Sequence, residues 1–189
     1  MKIMCIEKAK LPFKITDSTV AVRDDIFEIL HNSDIKWIER KEAEKDAQYK
    51  QFIPYVLLKR TDGLFACYQR HGTEKRLHDK YSAGVGGHID DPDNQNDVRK
   101  TLEKGMYREL SEELTNFQQD MIDLKYLGII NEIESEVGLV HIGIVYIAEC
   151  KEGYEPEAAS ELKNMEWKSV EEIAKLDKEL WTELAFRLI

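Results

Sequence analysis

Two short stretches hold the side chains best suited to chemistry: Gly86-Gly87-His88-Ile89-Asp90 and, after a polar loop, Arg108-Glu109-Leu110-Ser111-Glu112-Glu113-Leu114. If the second is helical, about 100° of rotation per residue brings Glu109, Glu112 and Glu113 within roughly a third of the circumference. Carboxylates this close repel one another by a few tenths of a kcal/mol per pair when exposed, and by more when partly desolvated. Arg108 can reach Glu112 at four-residue spacing, but one guanidinium cannot neutralise three acids. A hard cation with oxygen ligands is the simpler answer, and Mg²⁺ is the expected ion, with Mn²⁺ as the alternative. The plainer alternative is a glutamate-rich helix face that is merely solvated.

The elements around these residues must hold them in place. A strand ending in the two glycines is followed by a loop and then by a helix whose Leu102, Met106, Leu110, Leu114 and Phe117 form an apolar stripe beside the acids. Upstream, Phe52 to Leu58 reads as a buried strand, Asp62-Gly63 as a turn, and Leu64 to Gln69 as the hairpin partner, with Pro54 expected at an edge or bulge. Downstream, Asp123 to Ile133 and Leu139 to Ile147 are rich in β-branched and aromatic residues and read as strands. Ser169-Val170-Glu171-Glu172 opens a final helical region, with Leu180, Trp181, Leu184 and Leu188 inward. Residues 1–50 combine a weak strand at Lys2 to Ile6, a short helix from Arg23 to His31 and a charge-dense run from Glu39. They read as an N-terminal extension packed on a domain spanning 51–189, with room for a homodimer contact.

The residues Gly87 and Arg108-Glu109-Leu110-x-Glu112-Glu113 match the Nudix hydrolase signature, Gly-x5-Glu-x7-Arg-Glu-U-x-Glu-Glu-x-Gly-U with U apolar, and the chain resembles that family. The resemblance implies an α+β fold: an α/β/α sandwich with a mixed sheet and a catalytic strand-loop-helix. It further implies a Mg²⁺-dependent hydrolase cleaving the pyrophosphate bond of a small nucleoside-diphosphate compound. In that reading Glu112 and Glu113 hold the metal with the Gly86 carbonyl, and Glu109 is a further ligand or orients the water. Arg108 fixes a glutamate rotamer. Glu161, a loop acid ahead of Trp167, would join the metal shell or serve as base, with Glu134 and Glu136 also open in its place, and the base is Glu109, Glu161 or an acid of the loop. Gly87 and the basic segment holding Arg70 and Arg76 would meet substrate phosphates, arginine being favoured for its bidentate fork.

The chain departs from the signature in three ways. Gly87 and Arg108 are seven residues farther apart than the signature allows, and counting back eight from Arg108 lands on Lys100 where the family has an acid. That acid is either absent or supplied from the loop by Asp90, Asp91, Asp93 or Asp97. Thr115-Asn116 replaces the terminal Gly-U, with asparagine as the substitute for glycine at a left-handed helix end. Two further readings stay open: a Nudix-fold module that binds a nucleotide-like ligand without cleaving it, and an isopentenyl-diphosphate isomerase-like enzyme, for which Cys67 is the available cysteine.

Composition sets the outer bounds. With 189 residues and 42% apolar content, the chain can bury a proper core. A net charge of −10 argues against coating a nucleic-acid polymer or a membrane surface, and it requires local cationic help for an anionic substrate. The three separated cysteines, Cys5, Cys67 and Cys150, form neither a disulfide framework nor a paired metal motif, and with no apolar leader segment they point to a reducing cytoplasm. His71, His78 and His88 lack ligand spacing and read as hydrogen-bonding histidines, and His141 as a satisfied sheet residue.

Overall fold

A computed structural model describes residues 1–69, 80–160, 162 and 164–189. Among them are ten strands: β1 Lys2–Glu7, β2 Val20–Val22, β3 Ile35–Glu39, β4 Tyr49–Lys59, β5 Phe65–Gln69, β6 Tyr81–Ser82, β7 Gly84–Val85, β8 Ile122–Asn131, β9 His141–Cys150 and β10 Glu166–Lys168. The path across the sheet runs β10-β5-β4-β9-β8-β2, with β4 and β9 parallel and the other pairings antiparallel. This is the mixed sheet of an α+β fold.

Both faces are covered because the two central strands alternate between them. Phe52, Val56 and Leu58 of β4 and Ile142, Ile144 and Tyr146 of β9 join Leu102, Met106, Leu110 and Leu114 in one buried cluster. Tyr55 and Leu57, with Val145 and Ile147, form a second cluster with Leu184 and Leu188 of the C-terminal region. The long helix, Val98–Glu113, therefore lies on one face and the helix Leu180–Phe186 on the other. Leu102, Met106 and Leu110 are fully buried, each contributing about 2 kcal/mol through loss of contact with water. The expected stripe holds, and Asp97 caps the helix by accepting from the Lys100 amide at 2.9 Å.

The first fifty residues are woven into the sheet. β1 pairs with β3 and with the start of β4, Cys5 lying opposite Gln51, while β2 extends the far edge beside β8. The expected helix over 23–31 is only one turn, Ile26–Ile29, capped by Asp25. Pro54 stands in a central strand, opposite Ile144, rather than at an outer edge. Its missing N–H is tolerated because the other side of β4 is locally open there: β1 pairs only as far as Gln51, and β7 begins opposite Val56. The end of the long helix also differs from expectation. Leu114 is already extended, Asn116 does not adopt a positive φ, and its side chain instead bonds the backbone of Glu155 and Glu157.

Gly105, in the middle of the helix, marks a close approach. A Cβ there would come within 2.4 Å of Ile89 Cδ1 and 2.9 Å of Asp93 Oδ2. Glycine to alanine in a helix ordinarily stabilises by about 1 kcal/mol. Here Gly105→Ala is expected to destabilise by about 2 kcal/mol, because the loop below must move. Urea unfolding of the variant checks the sign.

Candidate active site

Arg108 is the hub. It projects from the long helix toward the loop after Gly87, and its three nitrogens are divided between them. Nε donates to Asp93 Oδ1 and Oδ2 at 3.3 and 3.2 Å. Nη2 donates to Asp93 Oδ2 at 2.9 Å and to the His88 carbonyl at 2.8 Å. Nη1 faces the helix, donating to Glu109 Oε1 at 2.7 Å and to Glu112 at 3.3 Å. Asp90 Oδ2 stands 3.6 Å from Nη2. The fixed fork of guanidinium suits this many-partner task.

Of the loop acids the sequence offers, Asp93 is the one that Arg108 hydrogen-bonds. Its side chain is 3% exposed, and it also accepts from the Asp90 amide at 3.0 Å, closing a tight turn over Asp91–Asp93. The signal was available in the sequence: counting the five intervening residues forward from Gly87 reaches Asp93, whereas counting back from Arg108 reaches Lys100. The extra residues thus follow the acid, and Lys100 falls in the exposed first turn of the helix.

The two glycines have different neighbours. A Cβ on Gly86 would sit 1.7 Å from the Pro54 carbonyl oxygen, so the strand end can lie on β4 only without a side chain. A Cβ on Gly87 would sit 2.2 Å from Glu109 Oε2, so the carboxylate packs directly on that backbone. Glu109 is 14% exposed, and burial raises its carboxyl above the ordinary range despite Arg108. Asp90 is raised too, again chiefly by burial. Glu112, by contrast, is 58% exposed. Glu109, Glu112, Glu113, Arg108, Gly86 and Gly87 are thus gathered on one strand-loop-helix.

The proposed base Glu161 and the proposed phosphate contacts Arg70 and Arg76 lie outside the described residues. Cys67 is fully buried on β5, and burial pushes its thiol up to about 11, which leaves it without the reactive, accessible character isomerase-like chemistry would need. His88 and His141, read separately in the sequence, meet: their Nε2 atoms are 3.2 Å apart. Nothing in the local sequence links residues 53 positions apart.

Fold and site together define a mixed-sheet α+β scaffold with an acidic helix packed under a double-glycine strand end. No protein-family profile matches the chain. The chain is 39% identical over 147 residues to Protein YmaB of Bacillus subtilis (strain 168), spanning 74% of this chain and 69% of that protein. It superposes on Tm1382, a protein assigned provisionally to the Nudix hydrolases, with a TM-score of 0.78 and 26% identity over 100% of this chain and 98% of the other. The Nudix domain of Shewanella oneidensis NrtR, solved with ADP ribose, shares the fold at a TM-score of 0.57 and 12% identity over 74% of this chain and 85% of that one. So does a bifunctional NMN adenylyltransferase/ADP ribose pyrophosphatase of Francisella tularensis, solved with AMP and a manganese ion, at 0.54 and 17% over 74% and 40%. The chain has the Nudix hydrolase fold. Among the described residues, no helix is long and apolar enough to cross a membrane.

Proposed function

We propose that the protein hydrolyses the pyrophosphate bond of a small nucleoside-diphosphate compound, with Mg²⁺, or Mn²⁺, held by Glu112, Glu113, Glu109 and the Gly86 carbonyl. The observation that carries this is the convergence of Glu109 and Glu112 on one cationic point, Arg108 Nη1, beside a glycine that leaves no side chain over Glu109. The donor set suits a hard divalent ion, being all oxygen. In the present rotamers no three acidic, histidine or cysteine side chains among the described residues are close enough to share an ion. Closing the site would therefore require Glu112, which is exposed and unconfined, to swing from Arg108 toward Glu113.

A divalent ion bound there would offset the negative charge of the diphosphate and acidify a water. Arg108, held from behind by Asp93 and the His88 carbonyl, keeps Glu109 against Gly87 so that its carboxylate enters the site in one orientation. The proton of that water would pass to a carboxylate, for which Glu109, Glu161 and a loop acid are the candidates. Support for the substrate class comes from the ADP ribose bound to the NrtR domain and the ADP ribose pyrophosphatase activity named for the Francisella protein.

A second reading is favoured by one feature: Arg108 already occupies the position between Glu109 and Glu112, an arrangement that suits a module binding a nucleotide ligand without cleaving it. Product release from nucleoside triphosphates, nucleotide sugars, dinucleoside polyphosphates and NAD-like compounds, with Mg²⁺ and with Mn²⁺, separates the two. Hydrolysis predicts metal-dependent cleavage of at least one of them. A compound that raises the melting temperature while none is cleaved supports the binding module.

A further inference from the structure

The histidine pair beside the loop, His141 buried and His88 half-buried, is not used by the reaction as drawn. His141 Nδ1 lies 2.7 Å from the Val137 carbonyl. A carbonyl only accepts, so Nδ1 carries the proton. With Nδ1 committed as the donor to Val137, the bare Nε2 of the buried His141 ring is an acceptor, since two rings each protonated at Nε2 would set N–H against N–H at 3.2 Å. His88 Nε2 is 3.2 Å from it and 2.9 Å from Gln51 Oε1. Turning the Gln51 amide over would make His88 Nε2 an acceptor and leave two ring lone pairs facing each other. The arrangement that satisfies both ring contacts puts the proton on His88 Nε2, shared between His141 and Gln51, and leaves Gln51 Nε2 without a hydrogen-bond partner among the described residues.

Gln51 and His141 are register partners at the start of the parallel strands β4 and β9, so both acceptors sit on adjacent, paired strands. His88 is then fastened twice: by its ring to the sheet, and by its carbonyl to Arg108 Nη2 at 2.8 Å. Arg108 passes the constraint to Glu109 at 2.7 Å. We propose that His88 and His141 are positioning residues for catalysis, their ring-to-ring hydrogen bond setting the loop carbonyl against which Arg108 orients Glu109. Neither ring touches the reacting atoms. This rests on the hydrolytic reading above, and it extends the functional unit from the strand-loop-helix to the ends of two sheet strands.

The test compares His88→Leu, which removes the donor, with His88→Gln, whose side-chain amide can place an N–H near the ring N–H. Steady-state kinetics are measured on a compound the wild-type protein cleaves. His88→Leu is expected to lose 10- to 100-fold in kcat with KM within about twofold, the range for loss of an orienting partner. His88→Gln should stay within about threefold of wild type. His141→Asn, which can still donate to Val137 but is too short to carry an acceptor to the Nε2 position, should reproduce the kcat loss if His88→Leu does not fold. Wild-type kcat in His88→Leu, or equal losses in the leucine and glutamine variants, would overturn the proposal. Ring-nitrogen NMR of the wild-type protein at neutral pH tests the geometry without any turnover. It should find His141 protonated on Nδ1 and His88 on Nε2, and the opposite tautomers would overturn the proposal even if hydrolysis is established. Wild-type protein that cleaves nothing while showing these tautomers would instead count against the hydrolytic reading.

Discussion

Arg108→Met is expected to destabilise the protein by about 3 kcal/mol and to reduce turnover by about 100-fold or more. Methionine preserves the buried stem, so the change isolates the guanidinium. Asp93, 3% exposed, accepts from every donor nitrogen of Arg108 except Nη1, and without Arg108 its charge would keep, among the described residues, one side-chain hydrogen bond, from the Asp90 amide. Removing one partner of a buried pair costs several kcal/mol because the other is left uncompensated. The functional loss has a separate origin, since Glu109 would no longer be drawn to Nη1 and nothing would fix its carboxylate over Gly87. Arg108→Lys should fall between, as one ammonium cannot meet Asp93, the His88 carbonyl and Glu109 together. Urea unfolding and turnover measured on the same preparations check both effects. A methionine variant within 1 kcal/mol of wild type would mean that the loop holds Asp93 by other means.

The neighbouring glycines give the second large effect, and they should fail differently. A Cβ on Gly86 meets backbone, the Pro54 oxygen at 1.7 Å and its carbon at 2.8 Å, in a central strand that cannot yield. Gly86→Ala should therefore cost about 3 kcal/mol, the upper end of the range for overpacking. The nearest atoms a Cβ on Gly87 would meet are all at the end of the Glu109 side chain. That carboxylate can swing aside, so Gly87→Ala should lose less than about 1 kcal/mol of stability, yet about 100-fold in turnover, because a displacement near 1 Å is enough to spoil an oriented group. Thermal melts beside kinetics on both variants separate the two outcomes, and equal stability losses would contradict the assignment of Glu109 to the Gly87 contact.

The parts of this structure legible in the sequence are those encoded locally. The apolar runs of β4 and β9, the stripe Leu102, Met106, Leu110 and Leu114, the Asp62-Gly63 turn with Gly63 at a φ of 86°, and the Ser169 capping box all follow from near-neighbour periodicity or backbone preference. Long-range pairing does not. Nothing in residues 1–50 announces that β1 will close on β4 while β2 crosses to the far edge, because strands that short carry no register information of their own. Pro54 was misread because an edge can be local, a gap between two partners on one side of a central strand. Asn116 was misread because a polar side chain that can end a helix by its own conformation can equally bond a neighbouring loop.

The site was half legible for a similar reason. Helical spacing brings Glu109, Glu112 and Glu113 together, but Asp93 belongs with Arg108 only through the fold, and the insertion obscured the one numerical clue. Gly105 reads as a weak point in a helix until the loop beneath it is seen. His88 and His141 each read as ordinary polar residues until the sheet brings them together.

The most direct test of the central claim is turnover by Glu113→Gln beside wild-type protein, on the panel of nucleotide compounds, with Mg²⁺ or Mn²⁺ supplied and then removed by chelation. Glutamine keeps the size of the side chain and removes its charge. The account predicts metal-dependent cleavage of a pyrophosphate bond by the wild-type protein, abolished by chelation and reduced by about 100-fold or more in the variant at an unchanged melting temperature. Full metal-dependent turnover by Glu113→Gln would contradict the placement of the metal on this helix.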